Sequence, residues 1–230
     1  MENHYKIVNL SKGEYIESMD LGCVDTLMGF CTQDSKVTQV LQVLLYDKWA
    51  GDCVVVLGEQ AFSENADFEL FTSDENWYDF IRGFEEDSDW LDLTDRESLY
   101  EYIQKGPAVF GERFKNISSE AQLYEDAIGM DPAFIVKHNR KEFVDLLKPE
   151  ITQVGIYEKK ISPLILLLTA GNGRGPGDYY GPGMEYVGMW LDFYSSELDM
   201  KYCESQTEKD QLRDYFILQG YKELEPGFRY

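Results

Sequence analysis

Near its start the chain reads Ile7-Val8-Asn9-Leu10-Ser11-Lys12-Gly13-Glu14-Tyr15-Ile16-Glu17, and the same pattern returns without a gap at Ile135-Val136-Lys137-His138-Asn139-Arg140-Lys141-Glu142-Phe143-Val144-Asp145. In both stretches apolar ends flank a polar centre of turn-forming residues. This is the pattern of two short strands joined as a hairpin. The sequence therefore predicts structurally equivalent hairpins over residues 4–17 and 133–146.

The elements that follow the two hairpins come in the same order in both halves. Each hairpin is followed by an apolar stretch, then a tryptophan, then a β-rich stretch. In the first half these are Val37 to Leu45, Trp49 and Cys53 to Leu57. In the second half they are Leu164 to Leu168, Trp190 and the run from Trp190 to Tyr194. The shared order favours an internal duplication.

The duplication predicts a first repeat unit at residues 1–130, which carries an acidic insertion, and a second unit at residues 131–230, which carries a Gly-rich loop. The two units form either two domains or one compact domain.

Several helices are predicted from apolar periodicity and capping residues. The last of them begins at Thr207, buries Leu212, Tyr215 and Phe216, and ends at Gly220. Other helices are expected behind Asp34 and Ser35, from Thr94 to Gly106, and from Ser119 to about Gly129. The apolar run after Ser162-Pro163 fits either a helix or a buried strand. Together these elements predict an α+β fold of antiparallel sheets with flanking helices and a pseudo-two-fold internal duplication.

The chain carries 43 acidic and 21 basic residues, which gives a net charge of −22. Residues 59–104 alone hold 15 acidic and 2 basic residues. Binding to nucleic-acid phosphates requires the opposite sign, so no direct nucleic-acid partner is expected. A field this negative speeds encounter with a basic protein, although solubility alone is a sufficient reason for acidity in many proteins.

The acidic belt, from Glu59 to Glu101, is also rich in aromatic residues. Asp87 and Asp89 begin the spacing of a calcium loop, but Leu91 holds the third ligand position and glycine is missing from the sixth. Aromatic residues are ordinarily core residues, whereas exposed ones among carboxylates are suited to anchoring a basic protein. The residues predicted to bind a partner are Trp77, Glu85, Glu86, Asp87, Asp89, Trp90 and Asp92.

A second candidate site is the Gly-rich loop, Gly171-Asn172-Gly173-Arg174-Gly175-Pro176-Gly177-Asp178-Tyr179-Tyr180-Gly181-Pro182-Gly183. Six glycines in thirteen residues allow backbone N–H groups to approach an anion. No Lys-Ser/Thr follows, however, and Pro176 interrupts the helix start of a dinucleotide loop. An exposed connecting loop that contacts a partner is the alternative. Its candidate residues are Gly173, Arg174, Gly175, Asp178 and Tyr179.

Three stretches resemble a group of small uncharacterised bacterial and phage proteins: Tyr5 to Tyr15, Lys48 to Gly58 and Gly171 to Asp178. In that group, a similar opening is followed within one unit by an apolar helix, a Gly-Asn-Gly-Arg-Gly loop and a Trp-Ala-Gly-Asp strand. Here the two signatures lie in different halves. The resemblance implies that the first copy lost the loop and the second changed the Trp-Ala-Gly-Asp stretch, and it implies no activity.

No catalytic, metal or cofactor motif stands out. Cys23, Cys31, Cys53 and Cys203 have no metal-ligand spacing, and with only two histidines they are predicted to be free thiols. There is no Gly-x-Ser-x-Gly motif, and His138 is interpreted as a solvated turn residue. The apolar runs are too short for a membrane helix, and no signal-peptide pattern is present. The expectation is a cytoplasmic protein that is not an enzyme and uses no cofactor.

These features predict an acidic, protein-binding inhibitor, with an immunity protein that occludes a basic toxin or nuclease as the preferred hypothesis. A phage-type inhibitor of a host defence protein is an alternative with the same physics. The third hypothesis is an enzyme or sensor that binds a small phosphorylated ligand at the Gly-rich loop.

Overall fold

The two predicted hairpins form the centres of two different sheets. A computed structural model of the chain describes residues 4–23, 26–58, 114–121, 132–147, 152–153, 159–170, 179–181, 183–191 and 197–225. In the first hairpin, β1 (Tyr5–Asn9) pairs antiparallel with β2 (Glu14–Glu17). In the second, β5 (Pro132–Lys137) pairs antiparallel with β6 (Glu142–Asp145). Both hairpins are therefore confirmed.

The two hairpins share one register. Ile7 lies opposite Ile16 in the first, and Ile135 lies opposite Val144 in the second. The sequence alignment makes these pairs equivalent. The turns agree as well, because the aligned residues Gly13 and Lys141 both adopt left-handed backbone conformations, with φ of 63° and 51°. Glycine adopts this conformation without steric cost, whereas lysine does so under strain.

A third strand pairs with the first strand of each hairpin. In the first half, β3 (Val54–Gly58) runs antiparallel to β1, with Val56 opposite Ile7. In the second half, β10 (Leu198–Tyr202) runs antiparallel to β5, with Met200 opposite Ile135. The prediction of a β-rich stretch that starts at Trp190 is wrong at its beginning. The Trp190 amide bonds to the Leu167 carbonyl over 2.9 Å and holds this part of the chain in a turn.

Both sheets are mixed rather than purely antiparallel. The edge strand β4 (Lys115–Asn116) runs parallel to β2, and β11 (Lys222–Glu223) runs parallel to β6. An equivalent backbone hydrogen bond fixes each edge strand. The Lys115 amide donates to the Gly13 carbonyl, and the Lys222 amide donates to the Lys141 carbonyl, each over 2.8 Å. Parallel neighbours cannot be joined by a tight hairpin, and β4 and β11 are each distant in sequence from the strand they join.

The first sheet has the order β4-β2-β1-β3-β9, where β9 (Thr169–Ala170) belongs to the second half of the sequence. The second sheet has the order β10-β5-β6-β11. A separate small pair joins β7 (Thr152–Gln153) and β8 (Lys159–Lys160). The α+β class is confirmed.

Five described helices accompany the sheets: α1 (Leu27–Phe30), α2 (Lys36–Tyr46), α3 (Ser118–Ala121), α4 (Pro163–Leu167) and α5 (Gln206–Leu218). The run after Ser162 is a helix that begins at Pro163, where the fixed φ of proline suits the first helical position. The helix predicted from Thr94 to Gly106 lies outside the described residues. Of the helix expected after Ser119, the part beyond residue 121 also lies outside them.

One apolar cluster connects the two sheets. It contains Ile7 and Val56 from the first sheet, Ile135 and Met200 from the second, and most of the buried side chains of α2 and α4. A fully buried aliphatic side chain contributes roughly 1.5–3 kcal/mol to folding. The two sheets are therefore stabilised by a common core, to which both halves of the sequence contribute.

Each half also positions its tryptophan by the same contact. The Trp49 indole donates its Nε1–H to Glu14 Oε2 over 2.7 Å, and the Trp190 indole donates to Glu142 Oε2 over 2.9 Å. Glu14 and Glu142 are aligned at the first position of the second hairpin strand. Matching registers, turns, edge bonds and tryptophan contacts support an internal duplication, which stays a prediction until the halves are superposed.

Candidate functional site

The most distinctive described surface is formed by α5, which covers one face of the second sheet. Ser205 begins the helix, and its side chain accepts a hydrogen bond from the Glu208 amide at 3.2 Å. Glu208 returns the contact, since its Oε2 accepts from the Glu204 amide at 2.8 Å. This reciprocal capping satisfies N–H groups at the helix start. The helix ends at Gln219, followed by Gly220 in the left-handed conformation.

The inward face of α5 packs on aromatic side chains of the sheet. Phe216 is buried and lies 5.3 Å from Phe143 and 6.2 Å from Phe134, measured between ring centroids. Leu212 and Cys203 are partly buried against the same cluster. Burial raises the pKa of the Cys203 thiol, and the nearby Glu208 carboxylate acts in the same direction.

Both cations of α5 also point inward. Lys209 Nζ lies 2.6 Å from Asp145 Oδ1, and the Arg213 guanidinium pairs with the other oxygen of the same carboxylate. The two cations stand over the Phe134 ring, at 5.5 Å and 5.4 Å from its centroid. Arg213 also lies 3.2 Å from Glu223 in β11. Within the helix, Arg213 also lies 3.4 Å from Asp210. The two cations of the helix are therefore paired mainly with carboxylates of the sheet.

The outward face of α5 consequently presents carboxylates and apolar groups. Glu208, Asp210 and Asp214 are exposed. In the last two turns, Tyr215 is 55% exposed, Ile217 is 52% exposed and Leu218 is 83% exposed. The prediction that Tyr215 points inward is wrong. Lys209, Leu212, Arg213 and Phe216 recur at helical spacing and occupy the inward face, which turns Tyr215 to solvent.

A polar chain lies beside the end of α5. His138 Nδ1 is 2.7 Å from the Tyr221 hydroxyl, and His138 Nε2 is 3.3 Å from Asp199 Oδ2. Lys201 pairs with the same carboxylate. His138 lies in the hairpin turn, as predicted, and its side chain is 33% exposed. It also has a connecting role that the sequence did not indicate, because it links the turn after β5 to β10 and to the residue before β11. The imidazole finds a partner at both nitrogens whether it is neutral or protonated.

This polar chain has no polar counterpart in the first half. The equivalent positions, aligned through the hairpin, the third strand and the edge strand, hold Leu10, Val55 and Phe114. The two halves therefore differ at this place, where among the described residues only those of the second half are linked by side-chain hydrogen bonds. The described chemistry is that of a structural link: His138 and Asp199 hold Tyr221 at the end of α5.

The sites predicted from the sequence lie largely outside the described residues. This holds for the belt residues Trp77, Glu85, Glu86, Asp87, Asp89, Trp90 and Asp92, and for the loop residues Gly173, Arg174, Gly175 and Asp178. Tyr179 is described and is fully buried in the shared core, where burial raises the pKa of its hydroxyl. Beside it, Tyr180 is exposed, as are Met184 and Met189.

The described residues contain no group of three or more His, Cys, Asp or Glu side chains placed to hold a metal ion. All four cysteines lie in the described part of the chain and are free thiols, as predicted. Within the described ranges, no helix has the length and apolar character needed to cross a membrane.

Comparisons with known protein families, with curated proteins and with solved structures found no match.

Apolar periodicity alone does not reveal the α5 surface. The signal was present in the charges: both cations of α5 share a face with Leu212 and Phe216, and its acidic residues avoid the centre of that face. Such segregation within one helix indicates which charged side chains pair with the rest of the fold and which face solvent, where a partner can contact them.

Proposed function

We propose that this protein is a stoichiometric, acidic inhibitor that binds a basic protein, in the manner of an immunity protein that neutralises a basic toxin such as a nuclease. Inhibition takes place by occlusion, with the acidic surface covering the positively charged active site of the partner. A phage-type inhibitor of a host defence protein would act by the same physics, since it too would cover a nucleic-acid-binding surface.

The observation that carries the proposal is the segregation of charge on α5. Lys209 and Arg213 pair with carboxylates of the second sheet, Asp145 and Glu223. Asp210 and Asp214 are exposed next to apolar side chains, although Arg213 also reaches Asp210 at 3.4 Å. An exposed surface with a single sign of charge, on a chain of net charge −22, attracts a basic protein over a distance of about 8 Å at physiological salt. The predicted belt residues between Glu85 and Asp92 would extend the same field.

The proposal is tested by isolating the tagged protein from its native host and identifying proteins bound in stoichiometric amounts. We expect one partner with a basic isoelectric point, whose own activity, for example nucleic-acid cleavage, is abolished at an equimolar ratio. The double variant Asp210→Lys and Asp214→Lys should slow association and flatten its salt dependence, because charges at the rim of an interface act mainly on the association rate.

A matched control keeps the net-charge change and moves it away from α5. Asp34 and Asp47, at the two ends of α2, are both exposed and are replaced by Lys in the control. The control should change association less than the α5 variant does. A partner of acidic isoelectric point, or a partner whose activity is unaffected by binding, would refute the proposed function.

A further inference from the structure

Three apolar side chains at the end of α5 are exposed to solvent, unlike Phe216, which the second sheet covers. Tyr215, Ile217 and Leu218 are adjacent in sequence or nearly so, and each exposes half or more of its surface. Single exposed apolar residues are common on protein surfaces. Here Tyr215 and Leu218, three positions apart, are neighbours on the helix surface, and Ile217 flanks Leu218 on its other side, so the three form an apolar patch centred on Leu218. The patch is continuous with the exposed carboxylates Asp210 and Asp214, which lie on the preceding turns.

This patch is held in a fixed position by contacts on both sides. The Gly220 amide donates to the Ile217 carbonyl at 3.0 Å, and the Tyr221 amide donates to the Phe216 carbonyl at 2.9 Å. Gly220 has a φ of 81°, which a residue with a side chain adopts at a cost. Tyr221 is in turn held by His138. A surface that is already ordered loses little conformational entropy when a partner binds.

The charge around the patch determines the class of partner. A second copy of this chain would bring Asp210 and Asp214 against a molecule of net charge −22, and like charges in contact are unfavourable. A partner with lysine or arginine around an apolar recess would instead pair with these carboxylates while the recess covers the patch. Interfaces of this kind concentrate their affinity in a central apolar anchor surrounded by polar contacts.

We propose that the last two turns of α5 are a docking surface, in which Leu218, with Tyr215 and Ile217 beside it, enters an apolar recess that is rimmed by basic residues on a partner protein. This inference rests on the proposed function and names the surface that performs it. Leu218 is the central anchor because it is the most exposed of the three, and Asp210 and Asp214 contact the basic rim.

The surface is tested with a photo-crosslinking amino acid, benzoylphenylalanine, placed at Gln211 on the exposed side of α5. The matched control carries the same amino acid at Gln39, which is exposed on α2. The full-length proteins are irradiated in an extract of the native host, and crosslinked proteins are identified by mass spectrometry. The captured protein is then purified, and its affinity is measured by calorimetry for the wild-type chain and for Leu218→Ser.

We expect a protein of basic isoelectric point to be captured from Gln211 and not from Gln39. Leu218→Ser should weaken its binding about thirtyfold or more, the effect of losing a hot-spot side chain. The substitution should leave the melting temperature nearly unchanged, because Leu218 is largely exposed. The exposed Gln219→Ser variant, one residue further, should bind as tightly as the wild type.

The outcomes separate the surface from the function. If a basic partner is inhibited but binds Leu218→Ser with unchanged affinity, the docking surface is refuted and the proposed function stands. If Gln211 crosslinks to a second copy of the same chain, the surface is a self-association site and the inference is overturned. If neither position captures a basic protein, and purification from the host yields none, both proposals fall.

Discussion

The Trp49 indole donates its N–H to Glu14 over 2.7 Å, in a contact that is buried on both sides. The hydrogen bond joins the start of β2 to the turn after α2. It recurs between Trp190 and Glu142, at the aligned positions of the second half. In the first half, Lys48 adds an ion pair to the same carboxylate at 2.8 Å, whereas Met189 stands before the tryptophan in the second half.

Glu14→Ala should lower the free energy of unfolding by about 2 kcal/mol, because it leaves the buried indole N–H without an acceptor. Glu142→Ala should cost less, about 1 kcal/mol, because Glu142 is less buried than Glu14 and has no ion pair with a described residue. Urea denaturation followed by tryptophan fluorescence measures both. The exposed Glu204→Ala is the control, and a smaller effect at Glu14 than at Glu142 would contradict the argument.

The aligned turn residues Gly13 and Lys141 should respond to substitution with opposite signs. Gly13→Ala is expected to cost about 1 kcal/mol, because alanine is strained at a positive φ, even though a Cβ there meets no neighbour within 4 Å. Lys141→Gly relieves the same strain and gains up to about 1 kcal/mol, less the entropy that glycine adds to the unfolded chain. Thermal unfolding of both variants is the measurement. Effects of the same sign would show that the turns are not equivalent.

The elements that the sequence predicted correctly are those fixed by local interactions. The hairpin around Gly13 and the helix after Ser35 both depend on residues within a few positions of one another. The parallel edges β4 and β11 depend instead on bonds across many residues, such as Lys115 to Gly13, and no local pattern encodes them. The start of the β-rich stretch predicted from Trp190 was wrong because Trp190 is held in a turn by its bond to Leu167, and the described strand β10 is fixed by pairing with β5.

In the candidate site, too, features fixed by nearby residues were predicted and features fixed by distant residues were not. Apolar spacing correctly placed Phe216 in the core, but it also predicted that Tyr215 is buried. The inward face of α5 is instead occupied by Lys209 and Arg213. Their inward position depends on Asp145, more than 60 residues earlier in the chain. The role of His138 is not evident from the sequence because its partners are also far away along the chain. Asp199 and Tyr221 reach His138 only when β10 and β11 have joined the sheet.

Asp145→Asn should destabilise the protein by about 3 kcal/mol. The carboxylate is almost fully buried and accepts from both Lys209 and Arg213. Its loss leaves Lys209 over the Phe134 ring without its counter-charge, whereas Arg213 keeps its contact with Glu223. Removing one partner of a buried ion pair typically costs 3–5 kcal/mol, and the partial exposure of Arg213 places this case at the lower end. Asp214→Asn is the control, with an effect within about 0.5 kcal/mol expected for an exposed carboxylate. Equal melting temperatures for the two variants would show that the cations of α5 are satisfied without Asp145.

Cys203 should react slowly with iodoacetamide at pH 8, because the thiolate is the reactive form and burial raises the pKa of this thiol. A raised pKa leaves less thiolate at a given pH, so the alkylation rate should increase steadily as the pH rises above 8. Glu208 is the next cause of the raised pKa, and Glu208→Gln should therefore speed the reaction at pH 8. Glutamine can still accept from the Glu204 amide, so the start of α5 is preserved.

The rate is measured by mass spectrometry on the peptide that contains Cys203, since the other three cysteines are also free thiols. Glu204→Gln serves as the control, because it removes a neighbouring charge and leaves Glu208 in place. Above the thiol pKa all variants should react at the same rate, because every thiol is then ionised. A Cys203 rate at pH 8 that equals that of the urea-unfolded chain would mean that α5 does not shield this thiol. The packing of the helix start against the second sheet would then be looser than its contacts indicate.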